Sequence, residues 1–224
     1  IWGPDEIAAR LMTGSSAGDQ IVGDDADNFL SGLGGNDRLE GVGGNDQLLG
    51  GAGNDTLIGG FCADDMDGGA GNDTLVGGPG ADHFHFAFGD GQDTISDDGV
   101  APNETSVDVD VLFLGAGISP DQVTVRRGFG NHAALTFEGS ADSVLLSGQF
   151  FGDGAGVEEV RFADGSIWTL ANLTTLAMIG GPDTDGLVGG DGNDVGYGFT
   201  GNDSIYGMGG DDLLFGGEGD DFID

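Results

Sequence analysis

Thirteen side chains able to give an oxygen to a cation recur every nine residues along this chain. They are Asp19, Asn28, Asp37, Asp46, Asp55, Asp64, Asp73 and Asp82, then Asp185, Asp194, Asp203, Asp212 and Asp221. Carboxylates repeated in phase and brought close would repel unless a counter-ion sat between them. Six or so hard oxygen ligands around a flexible gap suit Ca²⁺, whereas Mg²⁺ demands a tighter octahedron and keeps its water. A soft metal would need a Cys/His cluster, and the sequence offers only Cys62, His83, His85 and His132. His83 and His85 read as the closing edge of the repeats rather than a zinc site. No Ser/His/Asp arrangement or His-Glu zinc motif is visible. Glu158 and Glu159 are adjacent and cannot share a strand face, so they make a poor acid/base couple, and Asp108 and Asp110 read as a solvated strand face.

The elements that must position these oxygens are written in the same period. Repeats run from Gly14 to His85 and from Gly180 to Asp224, the clearest being Gly50-Gly51-Ala52-Gly53-Asn54-Asp55-Thr56-Leu57-Ile58. Six residues make a turn and three make a short strand. Glycines at the first, second and fourth places permit positive φ and close approach of neighbouring turns. The eighth place is apolar and points inward: Ile21, Leu30, Leu39, Leu48, Leu57, Met66, Leu75 and Phe84, then Leu187, Gly196 (the exception), Ile205, Leu214 and Ile223. A nine-residue period with these features predicts a parallel β-roll of two repeats per coil. Turns two repeats apart then stack about 4.8 Å apart, and their sixth-place carboxylates face one gap. Eight repeats give six gaps (8 − 2) and five give three (5 − 2), so about seven to nine Ca²⁺ ions are expected. The gap shared by Asn28 and Asp46 lacks a charge. Phe61 and Cys62 add bulk to the turn before Asp64. Asp90 and Asp93 are weaker candidates for closing one further site.

Composition supports a cation-built scaffold. The chain has 224 residues, 40 acidic and 5 basic, the latter all Arg, for a net charge of −35. That balance excludes the basic footprint of a nucleic-acid or anionic-membrane binder. Forty-nine glycines and so much acid predict disorder, yet the apolar period predicts that the disorder is relieved once the charge is cancelled. Nine divalent ions would offset 18 (9 × 2) of the 35 negative charges. The lone Cys62 permits no internal disulfide, no run of 18 apolar residues exists, and no signal peptide heads the chain.

Four segments follow. Residues 1–13 read as the tail of a preceding cap, a strand and a helical stretch from Pro4 to Met12. Residues 14–85 are a roll of eight nonapeptides, residues 86–179 a β cap with a terminal helix, and residues 180–224 a second roll of five. The fold expected is all-β: two parallel β-rolls separated by a small antiparallel β capping domain, with short helices before each array. In the cap, Val109, Val111 and Phe113 share a face, as do Val123 with Val125 and Leu135 with Phe137. Ser143–Ser147 and Val157–Phe162 read as strands, Ala163-Asp164-Gly165 as a turn, and Phe150, Phe151, Phe162 and Trp168 as core. Ile1-Trp2 aligns with Ile167-Trp168 and Gly14 with Gly180 at one offset of 166 (167 − 1, 180 − 14), which reads as a cut from a longer tandem protein.

The two arrays resemble the RTX, or haemolysin-type calcium-binding, repeat family. The stretch from Val111 to Leu173, including Arg161-Phe162-Ala163-Asp164-Gly165-Ser166-Ile167-Trp168, resembles the domain often found between such arrays. The resemblance implies Ca²⁺ held by the sixth-place Asp side chains with main-chain carbonyls of other turn places, here Gly35, Gly44, Gly53, Gly71, Gly80, Gly192, Gly201, Gly210 and Gly219. It also implies export by a type I system to the extracellular space or bacterial cell surface. The expected function is a non-enzymatic module that folds and stiffens on extracellular Ca²⁺, its partners being calcium and neighbouring repeat units. Two alternatives are an adhesive or surface-layer element binding an extracellular glycan or other surface partner, and an accessory module of a secreted enzyme. Nucleic acid and membrane insertion are not expected.

Overall fold

A computed structural model describes residues 11–97, 108–128, 132–149 and 156–224. The first array forms short strands alternating between two sheets: β1 (Leu11–Thr13), β2 (Gln20–Val22), β3 (Phe29–Gly34), β4 (Arg38–Gly43), β5 (Gln47–Ala52), β6 (Thr56–Phe61), β7 (Asp65–Ala70), β8 (Thr74–Val76) and β9 (His83–Phe86). Odd strands pair in one sheet and even strands in the other, all parallel. Leu48 faces Leu30 and Met66, and Leu57 faces Leu39 and Leu75, so the register advances by two repeats per coil. The eighth-place side chains from Leu30 to Phe84 meet between the sheets and are at most 1% exposed. A roll this thin has room for one inward side chain per repeat, which is why the apolar period is so strict.

The sheets do not stop where the nonapeptides do. Strands β10 (Gln92–Ser96) and β11 (Val111–Leu114) add in parallel to β8 and β9, and β14 (Ser143–Ser147) and β15 (Glu159–Phe162) add in parallel to β10 and β11. Antiparallel pairing, expected throughout the cap, is confined among the described residues to two places before the second array. One is the run of β12 (Val123–Gly128) and β13 (His132–Phe137) onto β14; the other is the hairpin from β15 to β16 (Ile167–Thr169). The physical reason is the open parallel edge of each roll sheet, whose unpaired amides and carbonyls accept the next strand in the same sense. Core side chains follow suit: Ile95, Leu112, Leu135, Val144, Val160 and Phe162 join the cluster begun by Leu30.

Helix α1 (Leu170–Ala177) precedes the second array and buries Leu173 and Ala177. Thr169 caps it, its hydroxyl and amide both meeting Asn172 Oδ1 at 2.9 Å. The helix expected before the first array lies outside the described residues except at Leu11 and Met12, which are in β1 instead. Phe150 and Phe151 also lie outside them. Beyond α1, β17 (Gly186–Val188), β19 (Ser204–Tyr206) and β21 (Phe222–Ile223) form one parallel sheet, and β18 (Val195–Thr200) and β20 (Leu213–Glu218) a second. The core here is small: Met178, Leu187 and Ile205, with Leu214 packed against them. At the eighth-place exception, Gly196, an added methyl would lie 2.8 Å from Cε of Met178, so that methionine fills the space a larger residue would take.

Candidate metal centres

Above the first coil of each array, the sixth-place carboxylate is fixed by the coil beneath it. Oδ1 of Asp37 accepts the amide N–H of Asp19 at 2.7 Å, Asp55 that of Asp37 at 2.7 Å, and Asp73 that of Asp55 at 2.7 Å. On the other side Asp46 accepts from Asn28 at 2.7 Å, Asp64 from Asp46 at 2.8 Å, and Asp82 from Asp64 at 2.8 Å. Two columns of acid therefore run up the roll, one per side.

The second oxygen of these groups has no such partner. Oδ2 of Asp37, Asp46, Asp55, Asp64, Asp73 and Asp82 is buried without a hydrogen-bond partner, as is Oδ2 of Asp203 in the second array. A buried, unsatisfied carboxylate oxygen is costly, and a cation is the usual remedy. The turns supply more oxygen. A methyl added at Gly53, Gly71, Gly80, Gly210 or Gly219 would run into the carbonyl oxygen of the fourth-place residue one coil earlier, respectively Gly35, Gly53, Cys62, Gly192 and Gly201. At Gly44 it would meet the fourth-place residue one coil earlier as well, Ala26, its carbonyl carbon at 2.5 Å and its oxygen at 2.8 Å. Carbonyl and carboxylate oxygens thus converge between stacked turns, and an all-oxygen donor set of this kind fits Ca²⁺.

Burial, with repulsion between neighbouring carboxylates added to it, raises the carboxyl pKa values against the opposing pull of the donated amides. Asp46 and Asp73 are pushed up to about 6, Asp64 and Asp93 to about 7, and Asp82 to about 8; Asp55 is raised as well. The columns are poised for a positive charge that the chain itself does not provide there.

At the lower edge the pattern differs. Asp19 Oδ2 is taken by the amide and hydroxyl of Ser15 at 2.7 and 2.9 Å, and the side-chain oxygen of Asn28 by the amide of Asp24 at 2.8 Å. In the second array, Asp203, Asp212 and Asp221 accept from Asp185, Asp194 and Asp203 at 2.9, 2.9 and 3.0 Å. There the amides of Gly181 and Gly190 bind Oδ2 of Asp185 and Asp194, and the guanidinium of Arg126, from β12, pairs with Asp185.

The two weaker candidates separate. Asp93 continues its column, accepting the amide of Asp73 at 2.9 Å, while the carboxylate of Asp90 accepts from Ala87 and only its main-chain carbonyl reaches Gly71. Asp110 is a correction. It is 2% exposed, not on a solvated face, and it accepts the amide of Asp82 at 2.7 Å. Its own amide donates to Glu158 at 2.8 Å, which places a glutamate next in the column. A signal for both was present: Asp93-Thr94-Ile95, Asp110-Val111-Leu112 and Glu158-Glu159-Val160 keep the acid-x-apolar end of the nonapeptide after its glycines have gone. The histidines do not gather: His85 pairs with Asp65 at 2.9 Å, both His83 and His85 pack on Phe113, and His132 accepts the amide of Gly148.

A parallel β-roll whose turns present columns of buried, unpartnered carboxylate oxygen belongs to the class of calcium-binding repeat scaffolds. The family model of the RTX calcium-binding nonapeptide repeat matches residues 13–48, 40–75, 63–95 and 197–224, and that of the haemolysin-type calcium binding protein related domain matches residues 134–172. The chain belongs to the haemolysin-type calcium-binding repeat family. No curated protein sequence matches it.

Proposed function

We propose that this chain is a calcium-gated folding and stiffening module of a secreted tandem-repeat protein, one unit being roll 14–85 with cap 86–179, and roll 180–224 beginning the next. The observation that carries this reading is the two columns of buried, unpartnered Oδ2 atoms from Asp37 to Asp82. Without a cation, those carboxylates and the net charge of −35 oppose the fold. With calcium, each sixth-place acid from Asp19 to Asp82 and from Asp185 to Asp221 would contribute to a gap, about seven to nine ions in all on the stacking count. The fourth-place carbonyls of Gly35, Gly44, Gly53, Gly71, Gly80, Gly192, Gly201, Gly210 and Gly219 would complete the gaps. Extracellular sites with Kd of about 10⁻⁴–10⁻³ M fill outside the cell and empty inside it. At ten times Kd each filled site adds about 1.4 kcal/mol to the folded state, and several together decide the folding of a domain whose usual margin is about 5–15 kcal/mol. The chain would then pass a type I exporter expanded and fold on arrival.

The test is a titration of the chelator-treated chain with Ca²⁺, followed by far-UV circular dichroism, with Mg²⁺ as control. A cooperative gain of β signal with Ca²⁺ only is the expected result. A chain already folded in chelator and unmoved by Ca²⁺ overturns the gating reading.

A second reading, a surface element that binds a partner, is favoured by one patch. Tyr197, Phe199 and Phe215 are 41%, 54% and 44% exposed, and the rings of Tyr197 and Phe215 stack at 5.0 Å. Exposed stacked aromatics suit a sugar face, and retention on a glycan array that disappears in Tyr197→Ala would favour this reading.

A further inference from the structure

Where the repeats end, the roll meets three carboxylates that come from three separate parts of the chain. Asp82 closes the last nonapeptide, Asp97 follows β10, and Asp110 precedes β11. They are 0%, 5% and 2% exposed, and one oxygen from each lies within 4.8 Å of the others. In a calcium site with bonds of about 2.3–2.6 Å, opposite ligands stand about 4.6–5.2 Å apart, so that spread matches one ion.

Two further observations point to an ion rather than to a chance crowd of acids. First, Asp82 Oδ2 is buried with no hydrogen-bond partner. It is aimed into the cluster: a methyl added at Gly77 would overlap it and lie 2.6 Å from Oδ1 of Asp97. Second, Asp97 takes a place that belongs to the repeat. At first-place glycines Gly32, Gly41 and Gly50, such a methyl would meet the Oδ2 of the same repeat's Asp and the main-chain carbonyl oxygen of Gly50, Gly59 and Gly68, one coil on. At Gly77 no further nonapeptide follows, and the carboxylate of Asp97 stands where that carbonyl would be. Around the cluster the charges that act on Asp82 and Asp110 are Asp64, Asp97, Asp108 and Glu158, all acidic. Asp97 and Asp110 both lie outside the stretches that match the repeat family and its related domain.

We infer that Asp82, Asp97 and Asp110 form a calcium site at the seam between the first roll and the strands that extend it, with three full carboxylates in place of two carboxylates and neutral carbonyls. This inference rests on the calcium reading above and adds to it a site that the nonapeptide count does not contain. Ligand charge raises affinity in such sites, so the seam fills at lower calcium than the interior gaps. One ion there holds the end of the roll, the strand after it and the start of β11 in a single arrangement.

The experiment compares calcium bound per chain at saturation, by equilibrium dialysis, in the wild type and in Asp97→Asn. Asparagine keeps the oxygen that accepts the Gly78 amide at 3.2 Å, so a purely structural role is preserved and only the charge is lost. The expected result is one calcium fewer per chain, with the remaining ions retained and the folding midpoint moved to higher calcium. Equal ion counts and equal midpoints overturn the seam site while leaving the calcium reading standing; a wild type that binds no calcium overturns both. Should Asp97→Asn fail to reach the folded spectrum, anomalous diffraction from calcium-loaded wild-type crystals decides. A peak among the three carboxylates supports the site, and peaks confined to the interior gaps overturn it.

Discussion

The two arrays are written in the same nonapeptide and are stabilised by different means. In the first, every eighth-place side chain from Leu30 to Phe84 is at most 1% exposed, and the roll runs without a break into the strands that follow. In the second, the eighth place falls to Gly196 once, Ile223 is 47% exposed, and the core is Met178, Leu187 and Ile205. The electrostatics differ as well. The upper end of the first array meets more acid, at Asp97 and Asp110, whereas the entry to the second meets base. Arg126 pairs with Asp185, and the guanidinium of Arg127 lies near Asp191 and Asp194, its pKa lowered by burial and held up by those two acids. One array waits for its cations and the other has been lent two. The same motif thus sits in two electrostatic settings, according to what its neighbours contribute; on the calcium reading proposed above, the first array depends on calcium more heavily than the second.

The largest test of this contrast is a proton. In the metal-free fold Asp46, Asp64, Asp73, Asp82 and Asp93 titrate at about 6 to about 8, against 3.8 for an ordinary aspartate. Their folded pKa values are raised, so the stability they contribute is fully present below 3.8 and is lost as pH rises through about 6 to about 8. Chelator-treated protein should therefore gain β signal on acidification, and less calcium should be needed for folding at pH 6 than at pH 8, although protons then compete for the sites of the folded chain. Both tyrosines, Tyr197 and Tyr206, are in the second array. Near-UV circular dichroism at the tyrosines should change less over the same range, and an equal change at both arrays would show that the two respond alike.

Packing gives the next effect. Leu57→Ala, at a fully buried position of the first roll, should cost about 2–5 kcal/mol in denaturant melts at saturating calcium. Ile223→Ala, at a position 47% exposed, should stay within about 0.5 kcal/mol. Arg126→Ala follows. It leaves the Asp185 side chain, 7% exposed, without its ion pair, at a cost of about 1–3 kcal/mol in low calcium. The deficit should shrink as calcium is added and takes over the charge; a deficit unchanged by calcium would show that Arg126 acts through packing. Smallest is Met208→Gly. Met208 is 69% exposed and holds φ at 74°. Removing that strain should stabilise the second array by under about 1 kcal/mol, since relief of about 1–2 kcal/mol is offset by the added freedom of glycine in the unfolded chain.

Much of this was legible in the residues. The period of nine set the coil, the register of Leu48 between Leu30 and Met66, and the acid columns, because one inward side chain per repeat leaves no freedom in how coils stack. Strand Ser143–Ser147 and the turn at Ala163-Asp164-Gly165 also stand where patterning puts them. What escaped was the sense of pairing after His85 and the fate of Asp110. Alternation shows which face a side chain takes, but a strand reads alike whether its neighbour runs with it or against it. Asp110 comes 28 residues after Asp82, against 18 for every nonapeptide column. Only the folded chain shows that the longer excursion returns to the same column.

The two-repeat coil has a consequence for how such a protein changes length over generations. Loss or duplication of eighteen residues removes or adds a whole coil and returns the chain to the sheet it left. Loss or duplication of nine residues keeps the roll's pattern of pairing but exchanges the two sheets upstream and brings the preceding segment out on the opposite side, half a turn away. Repeat number therefore has parity, and an inherited change of a single repeat would turn everything upstream to face the other way without disturbing the scaffold that carries it.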